Sequence, residues 1–263
     1  MTVIRKTSLS ILFPLLLVAC APATWEASRP EPVDPATRVR VTPDSDPQAI
    51  EIAQAVMEKM GGWDNWDRAR YLRWTFFGGR KHHWDRHTGE IRIEGTIGPE
   101  DEYVFAMNVD TLACRVWKNG EEIIDAGALA QALELGHKIW VNDSYWLVMP
   151  YKLLDPGVTL RHTGERTMGD GRMADILDMT FGDSVGYTPE NRYEIYVAKD
   201  TGLVEQWSFF ATAEDEEPQF SLPWKNWQPF GDILLATSKG RDMDWEIVVN
   251  DDVPEGVFAV GEE

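Results

Sequence analysis

The densest run of groups able to do chemistry is His82-His-Trp-Asp-Arg-His87. On an extended strand His83, Asp85 and His87 share one face, which offers two imidazoles and a carboxylate to a transition metal. His87, however, falls in the turn expected at His87-Thr88-Gly89, and no second ligand cluster is evident. The run is therefore expected to form a hairpin with polar tips and to hold no metal. The 44 Asp and Glu residues let almost any two be paired as general acid and base, so no pair is informative. No Gly-x-Ser-x-Gly elbow, Walker loop, Rossmann fingerprint or EF-hand loop occurs, and Asn250-Asp251-Asp252 is expected to be a solvated turn. Cys114, in the strand-like Leu112-Ala-Cys-Arg-Val-Trp117, has no adjacent His or Lys to activate it and is expected to be a buried, inert thiol. No catalytic residue and no cofactor are assigned.

Bulk properties bound the partners, and the acidic balance itself is read as solubility. The formal charge of −19 becomes −21 without Arg5 and Lys6. Such a surface repels phosphate backbones, which excludes nucleic acid as a partner, and it does not cling to anionic lipid by charge. A hydrophobic fraction of 43% and twelve Trp are enough for a substantial core.

The elements follow from period and punctuation. Arg5 and Lys6 precede an apolar run from Ser8 to Ala19, too short to span a bilayer and laid out like a secretory signal. Residues 20–46, rich in Pro, Glu, Arg and Thr, are expected to form a flexible tether. A single domain is expected over 47–263. It opens with a helix started by Asp46-Pro47 and stopped at Gly61-Gly62, and a short helical turn at Trp63–Arg68 follows. Alternation predicts strands around 72–76, 80–85, 90–95, 103–109, 114–117 and 121–124, the last two flanking an Asn119-Gly120 turn. A helix is predicted over 128–138. Tyr145 to Met149 is apolar on both faces, and that predicts a fully covered strand in the middle of one large sheet. Further strands are predicted near 158–161, 175–181, 193–198, 203–210, 220–227, 233–237 and 245–249. Ser221–Phe230 is either a lipid-touching lip or, favoured, an edge strand packing its Trp residues inward.

The fold class this implies is α+β: a large curved antiparallel sheet, half-barrel in form, covered by two or three helices. Leu72, Trp74, Phe76, Tyr103, Phe105, Met107, Tyr145, Leu147 and Met149 are the candidate inward-facing residues. They either line a hydrophobic cleft that takes an acyl chain or fill a dry core.

Two resemblances sharpen this. Leu17-Val18-Ala19-Cys20 resembles the lipobox of bacterial lipoproteins. It implies acylation of Cys20, with palmitate-type chains, and a membrane partner held through that anchor. Ala rather than Asp at position 21 implies the outer membrane, facing the periplasm. Met60-Gly61-Gly62 before Trp66, the stretch Asn142–Gly157, and Trp227–Thr237 together resemble the LolA/LolB-like superfamily of periplasmic carriers, over about residues 47–260. That resemblance implies a half-barrel closed by helices and a hydrophobic or acylated ligand bound without catalysis. An envelope scaffold with a filled core, whose protein partner is unknown, is the alternative. An enzyme with an unrecognised site is a second one.

Overall fold

The computed structural model describes residues 35–240 and 245–260. The signal sequence over 1–19, Cys20 and the tether up to residue 34 lie outside the described residues.

The chain enters through a short helix α1 (Pro35–Arg38), then α2 (Pro47–Lys59) and α3 (Gly62–Arg68). Residues 40–46, expected as the end of the tether, are instead docked. Arg40 N–H donates to Leu154 O, Thr42 N–H to Val158 O and Asp46 N–H to Leu160 O. Their backbone donors are satisfied by the body, which is what a mobile linker lacks. Helix α2 starts at Pro47 as its sequence predicts, but the Asp46 carboxylate accepts from His162 N–H rather than capping the helix. The chain turns at Gly61 with φ +119°, where a Cβ would come within 2.3 Å of Asp232 O; only glycine fits.

A seven-stranded antiparallel sheet follows: β1 (Tyr71–Phe76), β2 (Arg80–Asp85), β3 (Glu90–Ile97), β4 (Asp101–Asn108), β5 (Cys114–Lys118) and β6 (Glu121–Glu122), with the late strand β14 (Val248–Asn250) on the outer side of β1. Helix α4 spans Ala126–Val148, with the Asp125 carboxylate capping its first turn at Ala128 N–H, 2.9 Å. A 3-10 turn over Met149–Lys152 ends it. A five-stranded antiparallel sheet then forms in the order β11-β10-β9-β8-β7, from β7 (Val158–Thr167), β8 (Met173–Phe181), β9 (Arg192–Ala198), β10 (Val204–Phe210) and β11 (Phe220–Pro223). The hairpin β12 (Lys225–Phe230) and β13 (Ile233–Ser238) stands apart as a two-stranded unit. Among the described residues neither large sheet closes into a barrel.

The architecture is thus α+β with large open antiparallel sheets and helices laid on them, as expected. One part of the expectation is wrong. Tyr145–Met149 is not a strand in the middle of one sheet: residues 145–148 are the last turn of α4, and Met149 opens the 3-10 turn. The stretch is apolar on both sides because α4 lies between the two sheets. Trp140 meets Trp74 and Trp84 of the first sheet, while Tyr145 and Trp146 meet Tyr193 and Trp207 of the second. A helix covered on several sides loses its polar face, and over five residues that cannot be told from a doubly covered strand. The buried positions Ala132, Gly136, Trp140, Asp143 and Leu147 carry the helical spacing.

Candidate functional site

The inner face of the first sheet is built from three rows of side chains set by strand register. Leu72, Trp84, Ile91, Met107 and Cys114 form one, Trp74, His82, Ile93, Phe105 and Val116 the next, and Phe76, Arg80, Gly95, Tyr103 and Lys118 the third. Six of the nine expected ligand-facing residues therefore do share one face. The remaining three, Tyr145, Leu147 and Met149, reach the same core from α4 and its 3-10 extension, as helical rather than strand residues.

That face is filled for most of its length. Leu72, Trp74, Phe105, Met107, Leu147 and Met149 are all buried in the main core. Helix α4 lies so close to β4 that a Cβ on Gly136 would sit 2.6 Å from the Phe105 ring. Phe76, Tyr103 and Tyr145 remain half-buried. Two surface hollows, of about 230 Å³ beside Asp170, Glu205 and Lys225 and about 560 Å³ along Val249–Pro254, are lined by none of the nine residues.

A polar cluster is enclosed under α4. The Asp143 carboxylate, fully buried, accepts two bonds from the Arg80 guanidinium at 2.7 and 2.9 Å and one from His82 at 2.8 Å. Asn142 Nδ2 adds a fourth at 2.9 Å. The His82 ring stacks on Trp74 at 4.5 Å, and its Nδ1 is buried without a partner. Burial pushes the His82 pKa down despite the neighbouring carboxylate, so His82 is neutral, its Nε2–H donates to Asp143 and its Nδ1 carries the lone pair. Asp143, paired with both, is held below the usual carboxylate range even though burial opposes this. This is a clamp between α4 and β2: both His82 and Asp143 are sealed from solvent, so it offers no approach to a substrate.

The inner face opens at one end. At the β1–β2 turn Phe76 and Phe77 stand edge-on at 4.8 Å, and Phe77 holds a left-handed φ of +45°, costly for an aromatic residue. Phe77 packs on Trp146 at 5.4 Å, and Trp146 meets Trp207 at 4.8 Å and Phe220 at 6.4 Å. Tyr193, Phe209 and Phe220 continue the surface across β9, β10 and edge strand β11, with ring separations of 5.1–5.8 Å. Phe76, Phe77, Trp146, Tyr193 and Phe209 are half-buried and Phe220 is 36% exposed. Trp207 forms the buried floor, and its indole N–H has no acceptor among the described residues. The result is an aromatic shelf spanning the gap between the two sheets.

Sequence reasoning placed Phe76 and Tyr145 at or beside this shelf but missed Phe77, Trp146, Trp207 and Phe209. They come from a turn, a helix and a second sheet, and nothing in their spacing connects them. The Ser221–Phe230 segment belongs to an edge strand and a hairpin rather than a lip, with Trp224 buried and Trp227 donating to Val204 O at 2.9 Å. The three candidate metal ligands are not brought together. His83 pairs with Tyr71, Asp85 with Arg70, and His87 reaches Asp67 O. Among the described residues no group of three or more His, Cys, Asp or Glu is placed to hold a metal ion. Cys114 is half-buried in β5 with its pKa raised by burial.

No protein-family model matches the chain, and no curated protein matches it. Among solved structures it is similar to a domain provisionally assigned to outer membrane lipoprotein sorting, from Vibrio parahaemolyticus. The identity is 8% and the TM-score 0.40, over 81% of this chain and 96% of that one. It is also similar to MucB, at 18% identity and a TM-score of 0.29, over 83% of this chain and 64% of MucB. In the complex of MucB with MucA(peri) the figures are 19% and 0.21, over 60% and 49%. The chain thus spans about half to two thirds of the MucB chains it matches. The likeness is one of layout, and at these scores no residue of either protein can be carried onto this one.

Proposed function

We propose that this is a cell-envelope binding protein, anchored through an acylated Cys20, that captures an acyl chain or a lipidated protein on the aromatic shelf without catalysis. The observation that supports this is the shelf itself: half-buried rings from both sheets and from α4 with Phe220 exposed beside them, and one ring held in a costly backbone conformation at its edge. The ligand surface is shallow, because α4 fills the rest of the inner face. Of the nine expected ligand residues, Phe76 and Tyr145 belong at the site, Tyr103 lies three strands away from Phe76 on β4, and the other six act through the core.

Placement agrees with an anchored carrier. Arg38 ties the chain's entry to α3 through Asp64 and Asp67, and β1 runs from α3 to Phe76. The shelf is therefore at the far end of β1 from the point where an anchor would hold the body, about 20 Å away at strand rise. Partial burial of each methylene contributes about 0.4–0.8 kcal/mol, so Kd should tighten roughly two- to fourfold per added CH2.

Tryptophan quenching by a series of brominated fatty acids, with native mass spectrometry of residues 35–263, tests the reading. Trp146→Ser and Phe220→Ser should each weaken uptake at least tenfold while Tm changes little for the exposed Phe220 position. Equal uptake by parent and Phe220→Ser would remove the shelf as the site. Cys20→Ala should release the full-length protein from membranes, and continued retention of that variant would remove the anchor. The filled inner face favours a second reading, an envelope scaffold that meets a protein partner through the same rings. It predicts no apolar ligand at any chain length.

A further inference from the structure

The outer face of the seven-stranded sheet carries a row that the acidic composition does not suggest. Register places Arg73 of β1, His83 of β2, Arg92 of β3, Ala106 of β4 and Arg115 of β5 directly beside one another across five strands. Lys81 lies next to His83 on the same face of β2. His83 and Ala106 separate the three arginines, so no two fixed charges are directly paired, and the positive charge is offset unevenly along the row. On one half the offset is visible. The C-terminal segment crosses the sheet and gives backbone oxygens to the arginines: Val257 O and Ala259 O to Arg92 at 3.2 and 3.1 Å, and Val260 O to Arg115 at 3.4 Å. Glu94 and Glu122 complete the neutralisation there.

The other half has no such cover. Among the described residues Arg73 and Lys81 have no carboxylate or hydrogen-bond partner, and Arg73 Nε is buried with none. The carboxylates that face this half from the surrounding elements already have partners: Asp85 with Arg70, Glu90 with Asn108, Glu94 with Arg92 and Glu246 with Thr75. Tyr71 Oη lies 2.7 Å from His83 Nδ1 and holds the ring in place. We infer that Arg73, Lys81 and His83 form a binding site for a phosphate-class dianion, recognised by two cations and an imidazole on one sheet face. Two fixed positive charges match a dianion rather than a single carboxylate, and a planar guanidinium offers the paired donors such an oxyanion takes. The source is either free phosphate or the phosphomonoester headgroup of a lipid, whose chemistry here is the same.

His83 reports occupancy. Burial and the neighbouring Arg92, Arg73 and Lys81 push its pKa down to about 4. A bound dianion stabilises the imidazolium, so binding raises that pKa.

The test is NMR titration of the His83 ring in the full chain, with inorganic phosphate compared with chloride at equal ionic strength. Phosphate should shift the His83 resonances saturably and raise its pKa by at least one unit. The double variant Arg73→Gln/Lys81→Gln should lose the phosphate response while keeping the parent's Tm and backbone spectrum. No phosphate-specific shift in the parent, or an undiminished one in the double variant, overturns the site. Sedimentation of the unacylated Cys20→Ala chain with phosphatidylcholine vesicles, with and without phosphatidic acid, then separates the sources. Retention that requires phosphatidic acid and is lost in the double variant identifies a lipid headgroup, and a phosphate response without retention identifies a soluble ligand. Neither readout involves the aromatic shelf, so failure here leaves the shelf reading standing.

Discussion

Replacing Asp143 by Ala tests whether the clamp under α4 holds the helix between the sheets. The change leaves the Arg80 guanidinium and the His82 imidazole without their shared acceptor. Asp143 and His82 are fully sealed, whereas the Arg80 side chain keeps 26% of its exposure and can recover some water. Breaking a buried pair costs about 3–5 kcal/mol, and the exposed edge of Arg80 places this case near 3. At about 2–4 °C per kcal/mol for a domain of this size, Tm should fall by about 6–12 °C. Asp143→Asn keeps an acceptor for His82 but turns an amide toward Arg80, so it should lose about half as much. Replacing all three by Arg80→Met, His82→Leu and Asp143→Leu removes every unpaired polar group and should recover most of the loss. The assay is urea unfolding followed by tryptophan fluorescence, since Trp74 stacks on His82 and Trp140 packs beside it. If Asp143→Ala lies within about 1 kcal/mol of the parent, or costs as much when Arg80 and His82 are already replaced, the clamp argument fails.

Further expectations can be checked on the same footing. Because the folded state lowers the His82 pKa from 6.5, the unfolded chain binds the proton first, so stability should fall as pH drops below about 6.5. The depressed Asp143 carboxyl adds a second loss as pH falls below its ordinary 3.8, and His82→Leu should flatten only the upper part of the profile. Gly136→Ala drives a methyl into the Phe105 ring and should cost about 1–3 kcal/mol despite the better helix propensity, with Phe105→Leu restoring part of it. Tyr151→Phe removes a hydroxyl that donates to Leu234 O and Met60 O at 2.8 and 3.0 Å and should cost about 1–3 kcal/mol in chemical denaturation. Cys114, whose pKa burial raises, should react with a disulfide reagent at pH 8 more slowly in the native state than after unfolding.

What could be read from residues alone was whatever depends on local period and punctuation. Clean alternation marked β1 to β5 and put Leu72, Trp74, Phe76, Tyr103, Phe105 and Met107 on one face, since a strand's side chains obey a period of two whatever lies beyond it. Asp46-Pro47 and Gly61-Gly62 bounded α2, and Asn119-Gly120 marked the β5–β6 turn, because those residues adopt their backbone angles with little help from the rest of the chain. The tertiary structure alone decided the fate of Tyr145–Met149: how many sides of an element are covered depends on what packs there, and coverage by two sheets erased the polar face that would have announced a helix. It also decided that α4 fills the inner face, that His82 and Asp143, 61 residues apart, are hydrogen-bonded beneath it, and that Phe77, Trp146 and Phe220 meet in one shelf. Likewise, the isolated basic residues Arg73, His83 and Arg92 became a row only through strand register. Each of these is a contact between residues far apart in sequence, and such contacts are set by packing and pairing, on which local period is silent.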